Sequence, residues 1–356
     1  MPSRRTFLAG AAALCAAPAW SAVGNPSHVA AARHFDGTFW LRGIGEGGAD
    51  LFAVPLPGRG HAAAAHPTRA EAVAFARRPG TFALVLDCTN GRVIAELKAP
   101  EGHHFYGHGV FSQDGTRLYT TENAYDLGEG RIGVWNTAAG YQRIASLPSH
   151  GVGPHEIIRL PESETLVVAN GGIETHPETG RAKLNLDTMR PNLSYLNQHG
   201  ELLEQLHLPS DLRLNSIRHI AASPSGEVAI GCQWQGDIAD TQPLVWTHKP
   251  GERPQPLALS DQNWRAFEGY IGSVAWSGDG AQLIATSPRG GVVLSQAYLE
   301  PSRLWFASDV CGAASAQGGT LLSAGRNLTH LTIGDQKPER LITSSVESWD
   351  NHISRI

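Results

Sequence analysis

A short strand that ends in a turn rich in Gly, Asp, Pro or Ser recurs along this chain, and each copy runs directly into a second apolar strand. Gly109-Val110-Phe111-Ser112-Gln113-Asp114-Gly115 leads into Thr116 to Thr121. Ile220-Ala221-Ala222-Ser223-Pro224-Ser225-Gly226 leads into Glu227 to Ile230, and Val274-Ala275-Trp276-Ser277-Gly278-Asp279-Gly280 into Ala281 to Ala285. Weaker copies begin at Ala72-Val73-Ala74-Phe75 and Ile157-Ile158-Arg159-Leu160, and a last one runs from Cys311 to Gly319. Each copy reads as a hairpin, because its turn residues relieve the backbone where the chain must reverse.

A third apolar strand follows each pair, as in Ile132-Gly133-Val134-Trp135 or Pro243-Leu244-Val245-Trp246, and a fourth ends near Leu97, Leu147, Leu208, Leu259 or Leu341. Four strands per unit is the blade of a β-propeller, whose units bury their faces only by stacking on neighbours. Six copies are counted from Ala72 onward. Thr38 to Leu56 supplies outer strands of one more blade without an inner one, and Ser348 to Arg355 is a spare strand. The sequence therefore predicts an all-β fold: a single propeller of about seven four-stranded blades over residues 30–356, closed by the C-terminal strand. A two-sheet sandwich would not explain units recurring at irregular spacings of tens of residues. Composition agrees, with 40 Gly, 22 Pro, 2 Met and only 17% charged residues, as suits many short strands joined by tight turns. The one long insertion is the loop from Gly171 to Pro191 in the fourth blade, and long loops on a rigid scaffold are where binding tends to sit.

Ser3-Arg4-Arg5-Thr6-Phe7-Leu8, an alanine-rich apolar run and small residues up to Ala22 form a twin-arginine export pattern, so residues 1–22 are expected to be a signal peptide and the mature protein periplasmic. Cleavage after Ala19 and after Ala22 both fit. The apolar run is too short to span a bilayer, and Leu14 before Cys15 is a poor lipidation signal, so no membrane anchor is expected. Loss of Arg4 and Arg5 takes the formal charge of −5 two units lower and leaves no basic stripe, which argues against nucleic acid as a partner. Cys88, Cys232 and Cys311 then remain, an odd number on three different blades, and are expected to be buried thiols.

No nucleophile elbow, zinc-protease helix, phosphate-cradling loop or paired-cysteine metal motif is present in the sequence. The stronger signal is positional. His108 precedes Gly115 by seven residues and His219 precedes Gly226 by seven, while His155 precedes Ser163 by eight, a shift that a β-bulge would absorb. His352 opens the C-terminal strand as the others open theirs. Inner strands line the central channel, so His108, His155, His219 and His352 are candidate ligands for copper or iron. Binding through them would weaken as pH falls through about 6.5, the ordinary imidazole value. The competing interpretation gives each imidazole a hydrogen bond within its own blade and no ligand. Glu156 and Arg218 are candidate partners of the rings or residues of the channel mouth. Val73, with Glu71 nearby, Ser273, and Cys311 or Gly312 hold the corresponding places in the remaining blades. His176 and Asn170 are candidates in and beside the long loop, which also carries Arg181, Asn185 and Asp187 and either covers the channel or is a solvated excursion. His103, His104 and His207 share no register and are expected at the surface.

Arg77-Arg78-Pro79-Gly80, Phe105-Tyr106-Gly107-His108-Gly109, Gly151-Val152-Gly153-Pro154-His155-Glu156, Lys183-Leu184-Asn185-Leu186-Asp187-Thr188-Met189, Ser216-Ile217-Arg218-His219 and Trp349-Asp350-Asn351-His352 resemble the bacterial domain-of-unknown-function family numbered 1513. The resemblance spans essentially the whole mature chain. It implies a periplasmic propeller often encoded near imelysin-type iron-uptake proteins, and it brings no catalytic residues. Three functions stay open: a non-enzymatic metal-binding protein of a metal-acquisition system, a protein-interaction scaffold with structural histidines, and, with least support, a propeller hydrolase or oxidoreductase. The third would need an acid, a base or an open metal position that the sequence does not display.

Overall fold

The recurrent turns are built from their own side chains. Ser112 Oγ donates to Asp114 Oδ1 at 2.7 Å and the amide of Thr116 donates to the same oxygen at 2.9 Å. Ser277, Asp279 and Ala281 repeat the arrangement at 2.7 and 3.0 Å. Gly115 and Gly280 close both turns at φ +72° and +73°, where a side chain would be strained. The turns thus fix the register of each hairpin independently of distant parts of the chain.

The computed structural model describes residues 19–77, 81–298, 300–332, 339–343, 346 and 348–356. Arg4 and Arg5, most of the expected signal peptide, and the Arg78-Pro79-Gly80 motif lie outside the described residues. The described strands form seven four-stranded antiparallel sheets. Innermost in blades two to seven are Gly60–Ala65, His103–Phe111, Pro154–Arg159, Asn215–Ala222, Ser273–Trp276 and Val310–Ala316. The innermost strand of blade one is the C-terminal Ser348–Arg355, paired to His28–Arg33. The ring is therefore fastened by its last strand, as the sequence predicts. Blade two differs in one respect. Its inner strand is Gly60–Ala65, and the segment around Val73 lies one strand further out, in Glu71–Ala76.

The closing strand is held on both sides. Trp349 and Ile353 are buried with Leu321 and Leu328 of blade seven and Ala30 and Ile44 of blade one. Asp350, nearly fully buried, accepts from Arg59 Nε at 2.6 Å and Arg77 Nη1 at 2.7 Å, and Ser354 Oγ donates to the carbonyl of Ala63 at 2.6 Å. Apolar clusters lie between successive blades, so each sheet buries a face against the next. Cys88, Cys232 and Cys311 are free and buried. Desolvation pushes the Cys88 and Cys311 thiols up to about 12, which leaves them unreactive. Among the described residues no helix is long and apolar enough to cross a membrane.

Candidate metal centre

Five consecutive blades each send one imidazole into the channel: His352 from blade one, His61 from blade two, His108 from blade three, His155 from blade four and His219 from blade five. Their ring centroids form a closed circuit. His352 to His61 is 4.6 Å, His61 to His108 5.0 Å, His108 to His155 5.0 Å, His155 to His219 4.9 Å and His219 back to His352 5.1 Å.

The backbone is broken where these side chains emerge. The ladder loses register between Gly60 and Ala63, between Phe105 and Gly109, between Pro154 and Glu156, and between Ile217 and His219. Such irregularities re-aim a side chain out of the strict alternation of a strand. In blade three the break contains Gly107, at φ +99°. A Cβ there would lie 2.7 Å from Cδ2 of His61, so glycine serves both the backbone and the packing of the neighbouring ring.

Two of the rings are oriented through Nδ1. That of His155 donates to the carbonyl of Arg218 at 3.0 Å, and that of His219 faces Glu156 Oε2 at 3.3 Å. The same carboxylate accepts from the amide of Ile220 at 3.1 Å, and its other oxygen stands 3.7 Å from His108 Nδ1. Carbonyl and carboxylate partners of this kind fix the tautomer of metal-binding histidines and leave Nε2 free. Nδ1 of His61 and Nε2 of His108 and His352 are buried with no hydrogen-bond partner in the protein. A buried polar atom without a partner is costly, and a ligand atom awaiting a metal is one reason to keep it.

One ring nitrogen each from His61, His108 and His155 lie within 4.8 Å of one another. Metal–imidazole bonds of about 2.0–2.1 Å put tetrahedral ligands roughly 3.4 Å apart, so loading would turn the rings inward. Burial holds the imidazoles of His61, His108 and His155 well below 6.5, with repulsion from other rings of the circle, and from nearby arginines for His61 and His155, adding to the shift. It lowers His219 to about 3 and His352 to about 4. All five are therefore neutral at neutral pH, as metal ligands must be. Glu156 shifts the opposite way. Its carboxylate sits deep in the ring and desolvation raises it to about 7.

The circle of rings separates two chambers. One, of about 510 Å³, is walled by the small residues Ala62 to Ala65 with Ile157, Ile220 and Ser273, and reaches His108, Glu156 and His352. The other, of about 310 Å³, opens above His61, His155, His219 and His352 and is lined by Arg77, Arg181, Lys183 and Arg218. The long fourth-blade loop thus forms part of a channel mouth.

The structure brings together His108, His155, His219, His352, Glu156 and Arg218. Ser273 lies on the larger chamber, its hydroxyl donating to the carbonyl of Ala313 at 3.3 Å. Three candidates stand away from the chambers. Asn170 is fully buried within blade four, where its amide donates to the carbonyl of Ser149, to Asn192 Oδ1 and to Ser194 Oγ. Cys311 is packed against Gly272 in blade seven and lines neither chamber. His176 sits on the outside of the loop, edge-on to Tyr125 at 5.0 Å and 3.4 Å from Asp126. His61 is the ring that inspection of the sequence missed.

The sequence profile of a family described as "Protein of unknown function (DUF1513)" matches residues 54–356. No curated protein matches the sequence. Among solved structures, hydrazine synthase of Kuenenia stuttgartiensis is similar with a TM-score of 0.60 and 14% identity, over 90% of this chain and 96% of that one. A chain of a mitotic checkpoint complex is similar with a TM-score of 0.57 and 10% identity, over 80% of each chain. At such identities the likeness is one of fold alone.

Proposed function

Since this chain belongs to the DUF1513 family, whose description names no activity, we propose from the site itself that it is a non-catalytic binding protein for a divalent transition metal, iron or copper, held in the histidine circle. The observation that carries this reading is the circle of five neutral imidazoles, in which one nitrogen each of His61, His108 and His155 lie within 4.8 Å of one another and Nδ1 of His61 and Nε2 of His108 and His352 have no partner in the protein. An all-nitrogen donor set beside one carboxylate suits iron, copper and zinc, whereas the absence of thiolate among the converging groups disfavours a purely sulfur-seeking ion. In this reading the protein serves a metal-acquisition system in the periplasm. The twin-arginine leader supports the location, and the family resemblance supports imelysin-type iron-uptake proteins as working partners.

The test is metal content of protein purified without chelators, followed by titration with Cu(II), Fe(II) and Zn(II). Binding tighter than about micromolar, near −8 kcal/mol, is expected. His61→Ala, His108→Ala and His155→Ala should each strip most of the metal. Weaker binding of all three ions would reject the reading, as would alanine variants that melt earlier yet have no metal to lose.

A further inference from the structure

The smaller chamber carries a charge pattern that the histidine circle does not require. Arg77, Arg181, Lys183 and Arg218 line it, and none of its described lining residues is Asp or Glu. This occurs in a chain whose formal charge is −5, so composition does not account for it. Arg77 shares Asp350 with Arg59, which leaves two guanidiniums on one carboxylate. Desolvation, with Arg218 and Arg289 nearby, holds the Lys183 ammonium below its ordinary value, as expected where several cations converge on one place.

The wall that brings Arg181 and Lys183 to the mouth is built rather than draped. Asn185 Oδ1 accepts from the amide of Glu174 at 2.8 Å while its Nδ2 donates to the carbonyl of Gly172 at 2.9 Å. Met189 is fully buried, and Arg213 donates to the carbonyl of Leu186 at 2.6 Å. Tyr270, whose ring is backed by Arg289 at 4.5 Å, adds a phenol to the same chamber.

We infer that this mouth is a binding site for a compact polycarboxylate anion, seated on the histidine floor. The inference goes beyond the metal reading and stands without it. The cations come from three separate parts of the fold, blade two, the long loop and blade five, which matches several spaced carboxylates better than a single point charge. Guanidinium forks recognise carboxylates in two-pronged pairs. A volume of about 310 Å³ is at the small end of ligand sites and suits a compact anion.

The experiment is calorimetric titration of the metal-free, full mature protein with citrate, with acetate and inorganic phosphate as comparators. Citrate should bind with a dissociation constant below about 1 mM, and the comparators at least about tenfold more weakly. Lys183→Gln and Arg218→Gln should each weaken citrate about tenfold or more. Arg181→Gln, on the exposed loop where folding is not at stake, should weaken it measurably. His176→Ala, outside the chamber, should retain citrate. No citrate binding, equal binding of acetate or phosphate, or full affinity in all three charge variants would overturn the inference. Citrate binding in a protein that takes up no metal would reject only the metal reading.

Discussion

Glu156 Oε2 lies 3.3 Å from Nδ1 of His219, a residue 63 positions away on the next blade, and also caps the amide of Ile220. One carboxylate therefore ties two blades together and sets the direction of a ring. Partners of this kind are worth about 10–100-fold in metal affinity. Glu156→Ala is expected to lose that much in a competition titration against a chelator, and Glu156→Gln, which keeps an oxygen for Ile220, should lose less. Because Glu156 is raised to about 7, arrival of a cation should expel its proton. Metal titrations near pH 6.5 in buffers of different ionisation heat should reveal that release, and no buffer dependence would contradict it.

The pH dependence of stability follows from the same groups. The five imidazoles are held below 6.5 in the ring, so the unfolded chain binds protons that the native state refuses. Their contribution is complete above about 6.5 and is lost as pH falls toward the folded values, about 4 for His352 and about 3 for His219. Glu156 acts in reverse: the native state keeps its proton longer, so its contribution is lost as pH rises from the ordinary carboxylate range through about 7. Five groups outweigh one, and thermal melts of metal-free protein should show stability falling between pH 6.5 and 4. Metal should be retained well below 6.5, contrary to what an unperturbed histidine would give, because protons compete poorly for buried rings. Release centred at 6.5 would show that the rings are ordinary.

Gly107→Ala is expected to act on a residue it does not replace. The new Cβ meets His61 at 2.7 Å in a backbone conformation that side chains rarely adopt. The strain should cost about 1–3 kcal/mol. Metal affinity should fall as His61 is displaced, whereas Gly140→Ala, at an exposed positive-φ turn with open space, should leave metal affinity unchanged.

Removal of residues 346–356 should open the ring. Losing the buried Trp349 side chain alone is of the order of 3–5 kcal/mol. The truncation also exposes the edge of His28–Arg33 and frees Arg59 and Arg77 from Asp350. Aggregation or a large drop in melting temperature is the expected result, and a melt like that of the full chain would exclude closure by this strand.

Export should require both arginines, so Arg4→Lys with Arg5→Lys should hold the precursor in the cytoplasm. The N-terminus of the mature protein should lie at or before Trp20. That indole is buried against blades one and two, and its Nε1 donates to the carbonyl of His66 at 2.8 Å. Cleavage after Ala22 would discard it, whereas cleavage after Ala19 would not. Sequencing of the exported protein distinguishes the two.

The blades were legible because their turns are local chemistry: Ser112, Asp114 and Gly115 need nothing from the rest of the chain to reverse it. Four imidazoles were legible because repetition places like residues alike. His61 was not, since the first hairpin of blade two turns through His66, Pro67, Thr68 and Arg69 without a glycine, and the visible repeat there is one strand further out. Its one signal is a histidine before four consecutive alanines. Cys311 followed the repeat, but the ladder breaks between Val310 and Ala313 and its thiol packs between blades. The gathering of Arg77, Lys183 and Arg218 at one mouth depends on ring closure, which sequence spacing does not encode.

Closure by the final strand also sets the order in which the site comes into being. His352 is the last of the five imidazoles to be synthesised, after the whole of blades six and seven. A nascent or prematurely terminated chain can offer at most an incomplete circle. The full circle of five imidazoles therefore exists only in a chain whose ring has shut, and any ion that needed all five would report closure of the propeller.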